Sequence, residues 1–135
     1  TPASGFIGVP GGLILGITGG ILCYMAVDLI RGKLKIDDSL DVFAVHGVGG
    51  ILGSLLVAFL ALESFSGTGL SDGQSASGQF LVQVFAVIIV VIWTLIFTYI
   101  ILKITSLFSP LRVDEDEEIE GLDLRSHGER SYFKD

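Results

Sequence analysis

The sequence predicts an all-α membrane protein with three transmembrane helices and a soluble acidic tail, and three observations lead to that fold class. Residues 6–27 and 80–102 carry no charged side chain, and residues 42–62 carry only His46. Each stretch reaches the ~20 predominantly apolar residues that a helix needs to cross a bilayer. Mean hydropathy is +0.73 and charged residues make up only 17% of the chain, outside the habit of a water-soluble domain. The charges are also segregated: residues 111–135 hold nine acids and four bases, which is five of the seven net negative charges. A soluble three-helix bundle would need a polar face on each helix, and these spans have none.

A transmembrane region is therefore expected at residues 1–110, with helices at about 6–30, 41–62 and 79–106, and a cytoplasmic regulatory tail at residues 111–135. Lys and Arg collect in short cytoplasmic loops. The first loop contains Arg31, Lys33 and Lys35, whereas residues 63–78 contain no base and are rich in Ser and Gly. Lys103 and Arg112 flank the end of the third span. The first loop and the tail are therefore expected in the cytoplasm, with Thr1 on the opposite side. The chain begins at Thr1 without a basic lead into a short apolar stretch, so an incomplete N-terminus is expected rather than a signal peptide.

In the first span, Gly8, Gly12, Gly16 and Gly20 recur every fourth residue. In the second, Gly49 and Gly53 run beside the row of His46, Gly50, Ser54 and Ala58. Small residues let transmembrane backbones approach closely, and Gly12, Gly16, Gly20, Gly49, Gly50 and Gly53 are read as close-packing positions. Plain packing accounts for such rows in any membrane protein, but these two faces call for more helical partners than three spans supply. The third span is bulky all round (Val87, Ile88, Ile89, Val90, Val91, Ile92) and reads as facing lipid. Trp93, at mid-span, reads as a packing residue, and Lys103 as a side chain that snorkels toward headgroups.

His46 is the one ionisable residue inside an otherwise apolar span, which makes it the candidate functional residue. A neutral imidazole donates at one nitrogen and accepts at the other, so it can pass a hydrogen bond or a proton along a narrow pore. A histidine simply hydrogen-bonded between helices is the alternative. No second ligand stands three or four residues away, His127 lies in the tail, and the single Cys23 sits in an apolar run. No metal site, no cofactor and no disulfide are expected. Asp41 is five residues from His46, on a different side of a regular helix. Asp37, Asp38, Ser39 and Asp41 instead suit a helix start, where a side-chain cap and negative charge meet free N–H groups, and Asp38 and Asp41 are assigned that structural role. Asp28 has three open partners: Arg31, Lys33 or another helix.

At these residues a family resemblance appears. The run from Asp38 through Asp41-Val42-Phe43-Ala44-Val45-His46-Gly47 to Gly50 and Gly53 resembles the signature D-x-x-D-V-F-x-V-H-G-x-x-G-x-x-G of Amt ammonium transporters, in the Amt/Rh family. Thr1-Pro2-Ala3-Ser4-Gly5-Phe6 is similar to the turn before their ninth helix. Gly121-Leu122-Asp123, followed by His127-Gly128-Glu129, resembles their G-L-D-x-x-x-H-G-E tail motif, with Leu111-Arg112-Val113 ahead of it. The three motifs stand in the family's order and cover essentially the whole chain. Ala44 departs from the pattern, since many members carry Gly there.

The resemblance implies that the spans correspond to the last three of an eleven-helix transporter in the cell membrane, not an enzyme. It implies that ammonium is recruited at an outer vestibule, deprotonated, and passed through a hydrophobic pore lined by two facing histidines. His46 matches the second of them, and the other belongs to earlier helices. It further implies a homotrimer, a tail that regulates through Gly121, Leu122, Asp123, His127, Gly128 and Glu129, and, in bacterial and archaeal members, a PII-type signalling protein on the cytoplasmic face. The partners expected are thus ammonium or ammonia, the lipid bilayer and these proteins, with no nucleic acid. Bottom-up, the acidic run 114–118 reads as solvated, with Ile119, Leu122 and Leu124 as apolar anchors for docking. Composition alone also allows phosphorylation at Ser126 and Ser131. The alternatives to ammonium transport are an Rh-type ammonia or carbon dioxide channel and an Amt-like ammonium sensor.

Overall fold

The structure, a computed structural model, describes residues 1–129; Ser131 and the last residues of the expected tail lie outside them. The described residues are helical and contain no strand. Three helices are long and apolar enough to cross a membrane: α1 at Val9–Lys33, α2 at Val42–Leu60 and α3 at Ala76–Thr105. A short α4 follows at Glu115–Glu120. The chain divides into two compact units, Thr1–Val91 and Ile92–Asp135, with the boundary inside α3.

In the first unit, α1 starts where Pro10, which has no N–H to lose, occupies the first turn behind Gly8. Its last turn, Asp28–Lys33, widens to π-helical geometry, and the Leu34 amide reaches back five residues to the Leu29 carbonyl at 2.8 Å. The opening turn of α2, Val42–Gly47, is wide in the same way, and regular α-helix resumes at Val48. Asp38 supplies the acceptors this start lacks. Its Oδ1 accepts from the Val42 amide at 2.7 Å, and its Oδ2 from the Phe43 and Ala44 amides at 3.0 and 3.3 Å. One carboxylate therefore serves three of the four orphan donors of the helix start. Asp41 stands immediately before the turn in left-handed backbone (φ 54°, ψ 31°), and its carboxylate pairs with Arg31 at 3.2 Å. Among the partners left open for Asp28, Arg31 is thus engaged elsewhere.

The opposite ends of α1 and α2 are closed by a small core of Ala3, Val57 and Ala61, with Ile7, Leu15 and Leu70 packed against it. Backbone bonds hold it together: the Thr68 amide donates to the Phe6 carbonyl at 2.9 Å and the Gly69 amide to the Ala61 carbonyl at 2.8 Å. Gly11 faces Leu60 so closely that a Cβ there would lie 3.2 Å from the Leu60 carbonyl oxygen. The Phe59 and Phe80 rings meet at 5.4 Å between centroids. Few large side chains are enclosed, and Leu13, Ile17, Tyr24 and Phe85 are more than half exposed, which is the surface expected of helices that meet lipid or further helices.

In the second unit, Trp93 stacks on Phe97 of its own helix at 4.2 Å and remains 62% exposed, so its partner is the next turn rather than a packed neighbour. The Lys103 ammonium lies 5.7 Å from the Tyr99 ring centroid. α3 encloses none of its side chains.

Candidate functional site

His46 opens onto a groove of about 760 Å³ formed by α1, α2 and the N-terminal turn. Its walls include Gly12, Gly16, Gly19 and Gly20 from α1, and Gly49, Gly50 and Gly53 from α2. The wide turn before Val48 sets where His46 emerges, because one more residue per turn changes the angle at which a side chain leaves the helix. Ala44, within the same turn, is fully enclosed and anchors it, so its methyl is a packing contact. Gly47 lets the Phe43 ring lie along the helix, since a Cβ there would sit 2.9 Å from Phe43 Cδ2.

The glycines divide by role within this chain. Gly49 and Gly53 lie close to neighbours: a Cβ would stand 3.1 Å from the Cys23 sulfur at the first and 3.3 Å from Pro2 at the second. Gly12, Gly16, Gly20 and Gly50 meet nothing within 4 Å of an added Cβ and form open floor beside His46. The contact between α1 and α2 instead uses Gly11 and, at longer range, Gly19 against Leu52. Sequence reading missed Gly11 and Gly19, whose signal was their place directly beside the four-residue row. The groove is electrically quiet. Its lining, which also includes Thr1, Pro2, Leu15, Val45 and Leu52, has no side chain besides His46 that titrates. The thiol of Cys23, just behind it, donates a long bond of 3.8 Å to the Val45 carbonyl.

The helix-start residues Asp38 and Asp41 belong to the N-terminal end of α2 and are not part of the groove lining. The tail residues lie in the second unit. There Gly121 takes φ 100° and Gly128 φ 67°, backbone that favours glycine, and they bracket a wide turn at Asp123–His127. The Glu129 amide donates to the Asp123 carbonyl at 3.0 Å. Arg125 ties this turn to α4 through Glu117 at 3.3 Å and Glu120 at 3.6 Å. Ile119 and Leu122 are left exposed at 78% and 46%.

Arg112 pairs with Glu118 at 2.8 Å, and its hydrogen bond and charge hold the Glu118 carboxyl below the usual carboxylate range. A carboxyl lowered in this way contributes to the folded tail at pH values above its ordinary range, and the contribution is lost as pH falls through the lowered one. In carbon-detected NMR of the protein in nanodiscs, Glu118 should titrate below an unpaired glutamate, and Arg112→Gln should move it back up. Identical titration before and after the substitution would show that the pair does not persist in solution.

Comparison with known proteins places the chain. Residues 1–132 match the Ammonium Transporter Family. The chain is 40% identical over 134 residues to an ammonium transporter of Bacillus subtilis, covering 98% of this chain and 33% of that protein. It is 42% identical over 134 residues to the ammonium transporter Amt1 of Archaeoglobus fulgidus, with the same 98% and 33% coverage. Ammonium transporter 1 of Dictyostelium discoideum is 40% identical over 133 residues, 98% of this chain and 29% of that protein. The chain thus spans about a third of the length of the curated relatives it matches. With three long apolar helices and a match to the family over residues 1–132, this membrane chain belongs to the ammonium transporter family.

Proposed function

We propose that the chain forms one wall of a pore that moves ammonium across the cell membrane, with His46 as its proton and hydrogen-bond relay. The observation that carries the reading is the groove: one imidazole on a floor of Gly12, Gly16, Gly20 and Gly50, with no other titratable side chain in the lining. A cation in such a passage loses its water and finds no counter-charge, which is costly. Ammonia is neutral and small, and an imidazole can accept one of its hydrogens or donate to its lone pair. The groove therefore favours ammonia, with the proton separated from it and handled by nitrogen groups such as His46.

In this reading the open glycine floor is covered by further helices of the transporter, and the complete assembly is a homotrimer. The inner loop with Arg31, Lys33 and Lys35 and the tail face the cytoplasm. Exposed Ile119 and Leu122 amid the acidic run give the tail apolar anchors for a neighbouring subunit, and a PII-type protein is the expected cytoplasmic partner. The wide turn between Gly121 and Gly128 presents Leu122, Asp123, His127 and Glu129 for that docking.

The test is flux. Proteoliposomes bearing the complete transporter of which this chain forms one wall should respond to an inward ammonium step with a transport signal well above protein-free vesicles, and to an equal potassium step with none. An equal response to both ions would contradict the pore chemistry, and no response to either would contradict transport itself.

A further inference from the structure

Arg31 stands in the wide turn that ends α1, and its Nη1 lies 3.2 and 3.4 Å from the two carboxylate oxygens of Asp41. The pair joins two elements ten residues apart in sequence. Asp41 holds left-handed backbone, which Asp tolerates better than most residues but which still needs support from its surroundings. Directly after it comes the Val42–Gly47 turn that carries His46.

That turn is held from below by the three amide bonds to Asp38 and from inside by the enclosed methyl of Ala44. α1 also packs against this turn, and the Cys23 thiol donates to the Val45 carbonyl at 3.8 Å. The wall facing His46 across the groove is α1, through Gly12, Gly16 and Gly20. Ties between α1 and the start of α2 fix the distance between the imidazole and that wall, and Arg31–Asp41 is the ionic one, placed immediately before the turn that carries His46.

We propose that the Arg31–Asp41 ion pair is a positioning clasp that sets the placement of His46 relative to α1, so that Arg31 acts on ammonium flux without touching the substrate. The proposal rests on the relay reading of His46. Both carboxylate contacts come from one nitrogen, so a lysine can replace them. The side chains are 49% and 29% exposed, so the clasp is partly screened and yields to substitution without exposing a buried charge.

The experiment is a double-mutant cycle in proteoliposomes bearing the complete transporter that contains this chain, with ammonium flux normalised to reconstituted protein. Arg31→Gln should lower maximal flux by about threefold to tenfold, the size of coupling between groups joined through one contact, with apparent KM little changed. Arg31→Lys should hold flux within about twofold, and the charge swap Arg31→Asp with Asp41→Arg should recover part of the loss. In the His46→Ala background, Arg31→Gln should cause no further loss. An equal fold-loss in both backgrounds would overturn the clasp and leave only a general structural role, and so would full flux for Arg31→Gln alone. The His46→Ala protein measured by itself reports separately on the relay: unchanged flux and selectivity there would overturn the relay reading and the clasp with it.

Discussion

Replacing Gly8 or Gly67 by alanine should sharply destabilise the protein. A Cβ at Gly67 would run into the Ala61 carbonyl and stand 2.7 Å from the Ala61 Cα; one at Gly8 would run into the Ser66 carbonyl and stand 2.7 Å from the Ser66 Cβ. Most of these obstacles are backbone, which has no rotamer to change. The backbone in question is also committed, because the Gly67 amide donates to the Leu62 carbonyl at 3.1 Å and the neighbouring Thr68 and Gly69 amides tie residues 61–69 to Phe6 and to the end of α2. Overpacking a tight site costs roughly 1–3 kcal/mol, and a backbone collision belongs at the upper end or beyond. Gly19→Ala serves as the comparison, since its Cβ would meet only Leu52 Cδ2 at 4.0 Å, an ordinary contact. Thermal unfolding in detergent should therefore show a lowered midpoint for Gly8→Ala and Gly67→Ala and little change for Gly19→Ala. Equal midpoints for all three would mean that the N-terminal turn and the 61–69 loop do not pack as described.

These glycines show where sequence reading stops. The three spans were legible because an absent charge is itself the membrane signal, and the helices at Val9–Lys33, Val42–Leu60 and Ala76–Thr105 follow it. The four-residue glycine row was legible as a face open to close approach, but a row of small residues does not say which neighbour approaches. Within this chain, the contacts fall on Gly8 and Gly11, while Gly12, Gly16 and Gly20 remain open floor. Asp38 was legible as a helix-start acid, whereas its reach to three successive amides depends on the wide turn after it. No hydrophobic period signals a wide turn, because one extra residue in a turn barely disturbs an apolar pattern that already surrounds the helix. The Arg31–Asp41 pair was hidden for a related reason: Asp28, three residues from Arg31, left Arg31, Lys33 and another helix equally open in the sequence, and the positive φ of Asp41 is set by the whole loop.

The second large effect is expected at His46. His46→Ala should leave the fold intact, because the side chain is exposed to the groove and lies outside the enclosed core. It would leave a lining in which no side chain titrates. If His46 is the proposed relay, its removal should make proton handling fail, and loss of a positioned proton-transfer group typically costs about 100-fold to 10,000-fold in rate. The wider, unguarded groove would also lose its basis for separating a proton from its carrier, so whatever flux remained would discriminate less between ammonium and other monovalent cations.

The most direct measurement records charge movement and ammonium uptake from the same proteoliposomes, for the wild type and for His46→Ala, with ammonium steps alternated with potassium steps. A histidine relay predicts ammonium-selective signals for the wild type, and for the variant either a collapse of both signals or residual flux that no longer distinguishes the two ions. Wild-type rate and wild-type selectivity in the His46→Ala protein would contradict it.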